Sequence, residues 1–403
     1  MSVLYRKNYM YCGSVYSMNK TNRAANLDLL KIISMLFVVT LHFFSHGSIM
    51  KTVKADTIHW FICNTINHLA FVAINCYVLV SGYFLSKTTF KIQKLLMFVG
   101  QVSVYSVALY LFACHMGLVK VNFDIIIRTL LPISTRRYWF ATIYVGMYLL
   151  FPFLNRLISG LSKQHHLSFC IILLILHCIV PSTVLLADAW NAERGYSLAW
   201  FITLYLVGAY IRLYYSKTNP SDISTSTHVS KKSSFTTYLH KLSWLFGYII
   251  LSCLATLFKY YLPAAFNVIL GNNYISSVIS YNSLIMFLSS VCLFMFFLNI
   301  NIKREWIRRL ICNVAPLTFG VYLLHEWPDL RNYLWTKIFN PPKYVNSFKM
   351  YPYLLITVVS IFICGIIVEW IRIKFFNSFG SICKKISKIP FLKILEEDII
   401  NKT

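Results

Sequence analysis

Ten apolar runs, each close to the roughly 20 residues that a helix needs to cross the hydrocarbon core of a bilayer, decide what this chain can become. They lie near 29–49, 58–85, 95–117, 139–155, 167–187, 197–216, 243–262, 276–300, 311–326 and 351–371, the ninth being short for a span. Soluble cores stop growing at roughly 250 to 300 residues and split into domains. Here the apolar residues, 58% of the 403, are instead sorted into membrane-length runs. Charged residues make up 13%, against roughly 25% in a water-soluble domain, and the mean hydropathy is +0.62. Lipid offers no partner to an open backbone group, which leaves helices and closed barrels, and continuous apolar runs select helices. The expected fold is an all-α polytopic membrane bundle of about ten transmembrane helices. The stretch 121–135 is apolar enough to dip into the interface.

The net charge of +25 is most informative in its placement. With ten spans, 25 of the 38 Lys and Arg fall on the side that holds both termini and 12 on the other, with Lys31 inside the first span. Loops rich in Lys and Arg stay in the cytoplasm, so both termini of this multi-pass protein are expected there. Such basicity reads as a topology signal with attraction to anionic headgroups, and no nucleic-acid partner is expected. Residues 1–27 read as a cytoplasmic N-terminal segment without a cleavable signal, 28–373 as the transmembrane domain and 374–403 as a basic cytoplasmic tail. A Ser-, Thr- and Lys-rich stretch near 217–241 reads as a cytoplasmic linker. The 11 cysteines are scattered mostly through apolar spans with no CxxC pair, as small buried residues rather than ligands, and no metal is expected.

The first span carries the chemistry. Asp28, Lys31, His42 and His46 are ionisable groups within or at the edge of an apolar helix, where they are costly and by default functional. Lys31 and His42 are eleven residues apart, about three turns and roughly 16 Å along one face. His46 is one turn further, and Asp28 is placed to pair with Lys31. A charged cytoplasmic mouth therefore leads to an imidazole expected near mid-membrane. The competing reading is a snorkelling Lys31 and a His42 that hydrogen-bonds between helices.

A basic residue, ten intervening residues and a histidine in the first helix is the spacing found in the membrane-bound sugar O-acyltransferases of acyltransferase family three, which this chain resembles. The resemblance extends through Asn75 to Phe84, Tyr138-Trp139-Phe140, Tyr148 to Asn155, Tyr281-Asn282-Ser283 and Phe319 to His325. The family often has Arg where this chain has Lys31, and the basic pair after its second helix appears as Lys91 and Lys94. The resemblance implies transfer of an acyl group, usually acetyl from acetyl-coenzyme A as co-substrate, onto a hydroxyl of a cell-envelope polysaccharide or lipid-linked sugar. His42 would then be the base that takes the hydroxyl proton, or would carry the acyl group as an acyl-imidazole. Lys31, Asp28, Lys91 and Lys94 would serve the donor phosphates. On the far side Arg136, Arg137, Tyr138 and Trp139 form a basic-aromatic cluster suited to sugar rings and lipid pyrophosphate, which places Arg136 and Trp139 at the acceptor, or else an interfacial aromatic belt. His325 is placed either to assist His42 at the acceptor or to bond across helices. A polysaccharide or lipid-linked sugar transporter is the alternative, since intramembrane His and Lys also suit a translocation path. It would be expected to show broken helices in two similar halves, and no convincing internal repeat is visible.

Overall fold

The computed structural model describes residues 24–182, 190, 192–215, 234–270, 279–375, 382, 385–394 and 396–397, with backbone alone over 234–238 and 263–270. The N-terminal segment up to residue 23, most of the 217–241 linker and much of the tail after 375 lie outside the described residues.

Every long apolar run became a helix. The helices that matter here are α1 (Ala25–Ser45), α2 (Ile58–Phe71), α3 (Ala73–Leu85), α4 (Ile92–His115), α5 (Phe123–Leu130), α6 (Trp139–Ser159), α7 (Lys163–Leu174), α8 (Leu198–Tyr210), α9 (Ser234–Leu270), α10 (Leu284–Leu298), α11 (Glu305–Val314), α12 (Thr318–His325), α13 (Pro328–Tyr333) and α14 (Met350–Phe375). The fold is an all-α membrane bundle. Among the described residues nine helical stretches are long and apolar enough to cross a bilayer, and Leu284–Leu298 is a shorter apolar helix. The short member is therefore the eighth run and not the ninth. The ninth gains length because the amphipathic α11 feeds through the 3-10 turn Ala315–Leu317 into α12, a continuous stretch over Glu305–His325. The polar face of α11 hid that extension from a hydropathy reading. The stretch 121–135 contains α5, whose Phe123 and Leu130 are exposed, as an interfacial segment requires.

With no hydrophobic drive between helices in lipid, packing depends on small residues and interhelical hydrogen bonds. The α3–α8 contact shows the first device: a Cβ added at Gly82 would lie 2.2 Å from the Tyr205 carbonyl oxygen, and one at Gly208 would lie 2.4 Å from that of Leu79. The second is carried by asparagines. Asn75 donates to the Tyr281 carbonyl at 2.7 Å and accepts from the Trp200 indole at 3.1 Å. Asn155 donates to the Leu85 carbonyl and accepts from the Tyr205 hydroxyl, and Asn282 donates to the His177 carbonyl where the chain after α7 turns π-helical. Asn26 holds α1 in the same way, donating to the Phe297 and Leu298 carbonyls at the end of α10. These bonds brace α1 from its first turn, with α2, α3, α12 and α14 packed against it.

Candidate active site

Helix α1 has buried residues on most of its length and ends at Ser45, with His46 as its C-cap. The chain can turn there because Gly47 packs under Pro341, where a Cβ would approach Pro341 Cγ to 2.8 Å. His42 therefore sits in the last turn of α1, one turn before His46.

The last turn of α1 meets the end of α12, where His325 and Glu326 emerge. His42 Nδ1 lies 2.8 Å from His325 Nε2 and 3.2 Å from Glu326 Oε2, and His46 Nε2 is 3.3 Å from the same carboxylate oxygen. The other oxygen, Oε1, accepts from Arg331 at 2.7 Å. The Glu326 side chain is 8% exposed, against 16% for His42 and 27% for His46. A buried carboxylate requires compensation, and Arg331 with the imidazoles supplies it.

The hydrogen bonds of the cluster fix its protons. His325 Nδ1 lies 2.5 Å from the Val321 carbonyl oxygen, which can only accept, so Nδ1 carries the hydrogen. In the neutral ring Nε2 is then an acceptor, and the hydrogen between the rings belongs to His42 Nδ1. His42 Nε2 is left with the lone pair. This is the tautomer of a base presenting Nε2.

A cavity of about 1220 Å³, counting the part open to solvent, runs beside α1. Lys31, Met35 and Val38 line it from α1, Lys94 from α4, Tyr144 from α6, and Thr318 and Tyr322 from around α12. The lining stops at Val38 and Tyr322, about one turn short of His42 and His325, and none of His42, His46, His325 and Glu326 is part of it. Lys31 pairs with Asp28 at 3.1 Å, as its spacing requires, and lies 5.4 Å from the Phe84 ring. Asp28 is buried behind it.

Not all the sequence candidates converge here. Lys91 is exposed at the N-terminus of α4, its carbonyl accepting from Tyr148, and it is not among the lining residues. Arg136, held at φ +55, pairs with Glu193 at 2.8 Å and donates to the Tyr196 carbonyl. It therefore props the loop that carries Tyr196, whose ring lies 4.5 Å from Trp139 and 5.2 Å from Tyr281. Its neighbour Arg137 pairs with Asp329 at 2.5 Å and stacks 4.6 Å over Trp327, next in sequence to Glu326. His325 meets His42 directly. Sequence reasoning missed Glu326 as a participant, together with Arg331. A carboxylate adjacent to His325, followed five residues later by an arginine, was the available signal.

A multi-pass helical membrane protein with a histidine-centred polar cluster about one helical turn beyond a lysine-bearing cavity is the class that fold and site define. The sequence profile of the acyltransferase domain of family three matches residues 24–370, most of the chain, so the chain belongs to that family and is a membrane acyltransferase. No curated protein and no solved structure matches it.

Proposed function

We propose that this acyltransferase moves acetyl from acetyl-coenzyme A onto a hydroxyl of a cell-envelope polysaccharide or lipid-linked sugar, with His42 as the base. The observation that carries the reading is the cavity along the Lys31–Met35–Val38 face of α1, which leads toward the one histidine of that face whose Nε2 is free to accept a proton. A thioester donor fits such a cavity with its phosphates at Lys31 and Lys94 and its acyl end near His42. Asp28 orients the Lys31 ammonium. The transport reading is not favoured by the family.

In the reaction, His42 Nε2 takes the proton of the attacking sugar hydroxyl as its oxygen bonds to the thioester carbon. The C–S bond breaks, and the thiolate leaves with the proton that His42 returns. Glu326 stabilises the imidazolium that forms in between. Trp139 and the exposed Tyr196 offer rings to the acceptor, with Arg136 supporting Tyr196. The bias of basic residues supports an orientation in the bacterial inner membrane with both termini cytoplasmic and donor entry from that side.

Membranes containing the protein, incubated with labelled acetyl-coenzyme A and the native lipid-linked glycan, should yield a sugar heavier by one acetyl group in mass analysis. A sugar of unchanged mass would return the argument to transport. For the donor, Lys31→Ala should raise the KM for acetyl-coenzyme A more than Lys31→Arg does, because phosphate and Asp28 both respond to charge before shape. Equal KM values in both variants would make Lys31 a snorkelling residue.

A further inference from the structure

Four ligand-bearing side chains converge where α1 meets α12, and their spacing suits more than a proton. One ligand atom each from His42, His325 and Glu326 lies within 4.8 Å of the others, and His46 Nε2 reaches the same Glu326 oxygen at 3.3 Å. Zinc bonds to nitrogen and carboxylate oxygen of about 2.0 to 2.2 Å imply ligand atoms about 3.3 to 3.6 Å apart around a tetrahedron. The separations of 3.2 and 3.3 Å at Glu326 Oε2 are close to that spacing, the 2.8 Å between the His42 and His325 rings must open by about half an ångström, and the widest pair, within 4.8 Å, must close by about an ångström, all within reach of side-chain rotation.

The surroundings are also those of a metal site. Histidines that bind metals donate their other ring N–H to a carbonyl or carboxylate, and His325 Nδ1 already donates to the Val321 carbonyl. The second oxygen of Glu326 is fixed by Arg331, which leaves Oε2 facing the imidazoles. The partial exposure of His42 and His46 gives an ion a way in.

We propose that His42, His46, His325 and Glu326 form an inhibitory site for a divalent transition metal of the zinc type, a metal that takes no part in the transfer reaction. Binding balances without net loss of a proton from His42: the metal takes the Nδ1 lone pair, and the hydrogen that sat there moves to Nε2. The base lone pair disappears, and transfer stops until the metal leaves. Imidazole and one carboxylate favour zinc or copper over magnesium, which prefers an all-oxygen octahedral shell. Arg331 opposes a nearby dication, so occupancy follows the free metal concentration. The inhibitory consequence rests on His42 as the base, whereas the binding does not.

Purified full-length protein, stripped with a chelator, should take up one Zn²⁺ in calorimetric titration and melt at a higher temperature when loaded, and Mg²⁺ should do neither. Zn²⁺ should abolish acetyl transfer, and chelator should restore it. His46→Ala and His46→Gln should transfer acetyl at close to the wild-type rate yet need at least tenfold more Zn²⁺ for half-inhibition, with binding weakened equally. Double substitution of His46 and His325 by Ala should remove the stabilisation by Zn²⁺. Stoichiometric binding that survives the double variant, or no saturable binding to the wild-type protein, overturns the proposal. Binding with these variant effects, in a preparation that transfers nothing, would uphold the site and condemn the acetyltransferase reading instead.

Discussion

His42→Ala is expected to lower acetyl transfer by about 100- to 10,000-fold, the range for loss of a general base, while the protein still inserts, accumulates and binds acetyl-coenzyme A. The fold should tolerate the change because the substitution strands no charge. Glu326 keeps Arg331 at 2.7 Å and His46 at 3.3 Å, and the single lost bond to His325 is worth about 0.6 to 1.7 kcal/mol between membrane helices. Lys31, proposed to hold the donor, lies about three turns away along α1, and Lys94 is on α4, so both are untouched. His46→Ala should cost far less, because the chain of hydrogen bonds from Val321 through His325 to His42 Nδ1 does not pass through His46. The measurement is the initial rate with labelled donor, alongside protein level and donor-induced thermal stabilisation. A folded variant that kept more than about a tenth of the wild-type rate would reduce His42 to a packing residue.

The fold was legible because lipid imposes a severe filter: an apolar run of span length has almost no alternative to a helix. The same filter misled where a helix was not uniformly apolar. α11 begins with Glu305 and carries Arg308 and Arg309, so its contribution to the ninth span was invisible. The end of α1 was hidden for a related reason, since Gly47 and the left-handed Ser48 at φ 59 turn the chain while hydropathy runs on. The face joining Lys31 to His42 could be read from periodicity alone, as could the Asp28–Lys31 pair. What lies opposite could not: His325 is 283 residues away in sequence, and nothing local says that α12 delivers it to the end of α1. The partner of Arg136 was equally hidden: the structure pairs it with Glu193, and loop-to-loop pairing of this kind has no periodic signature. The asparagines of the family-like segments, Asn75, Asn155 and Asn282, bind backbone carbonyls of neighbouring helices. Those segments therefore hold the bundle together around the site.

His325→Ala should lower kcat by about 10- to 100-fold, the scale seen when groups that orient a functional imidazole are removed, with little change in the KM for acetyl-coenzyme A. The reason lies in the proton inventory. His325 Nε2 accepts the His42 Nδ1 hydrogen only because the Val321 carbonyl holds the His325 hydrogen on Nδ1. Without that acceptor, the Nδ1 hydrogen of His42 keeps only Glu326 Oε2, at 3.2 Å, a carboxylate shared with His46 and Arg331. The ring can then rotate or exchange tautomers, and Nε2 spends less time as an aligned base. His325→Gln offers both functions, an amide N–H for the Val321 carbonyl and an amide oxygen for His42, and should recover most of the lost kcat. His325→Leu preserves bulk without an acceptor and should not. A purely structural residue would give a different pattern, with Ala, Leu and Gln ranked by melting temperature and not by their capacity to accept a hydrogen bond. If Leu performed as well as Gln, or if the loss appeared in KM for the donor instead of kcat, His325 would be a packing histidine, and the tautomer of His42 would have to be set by Glu326 alone.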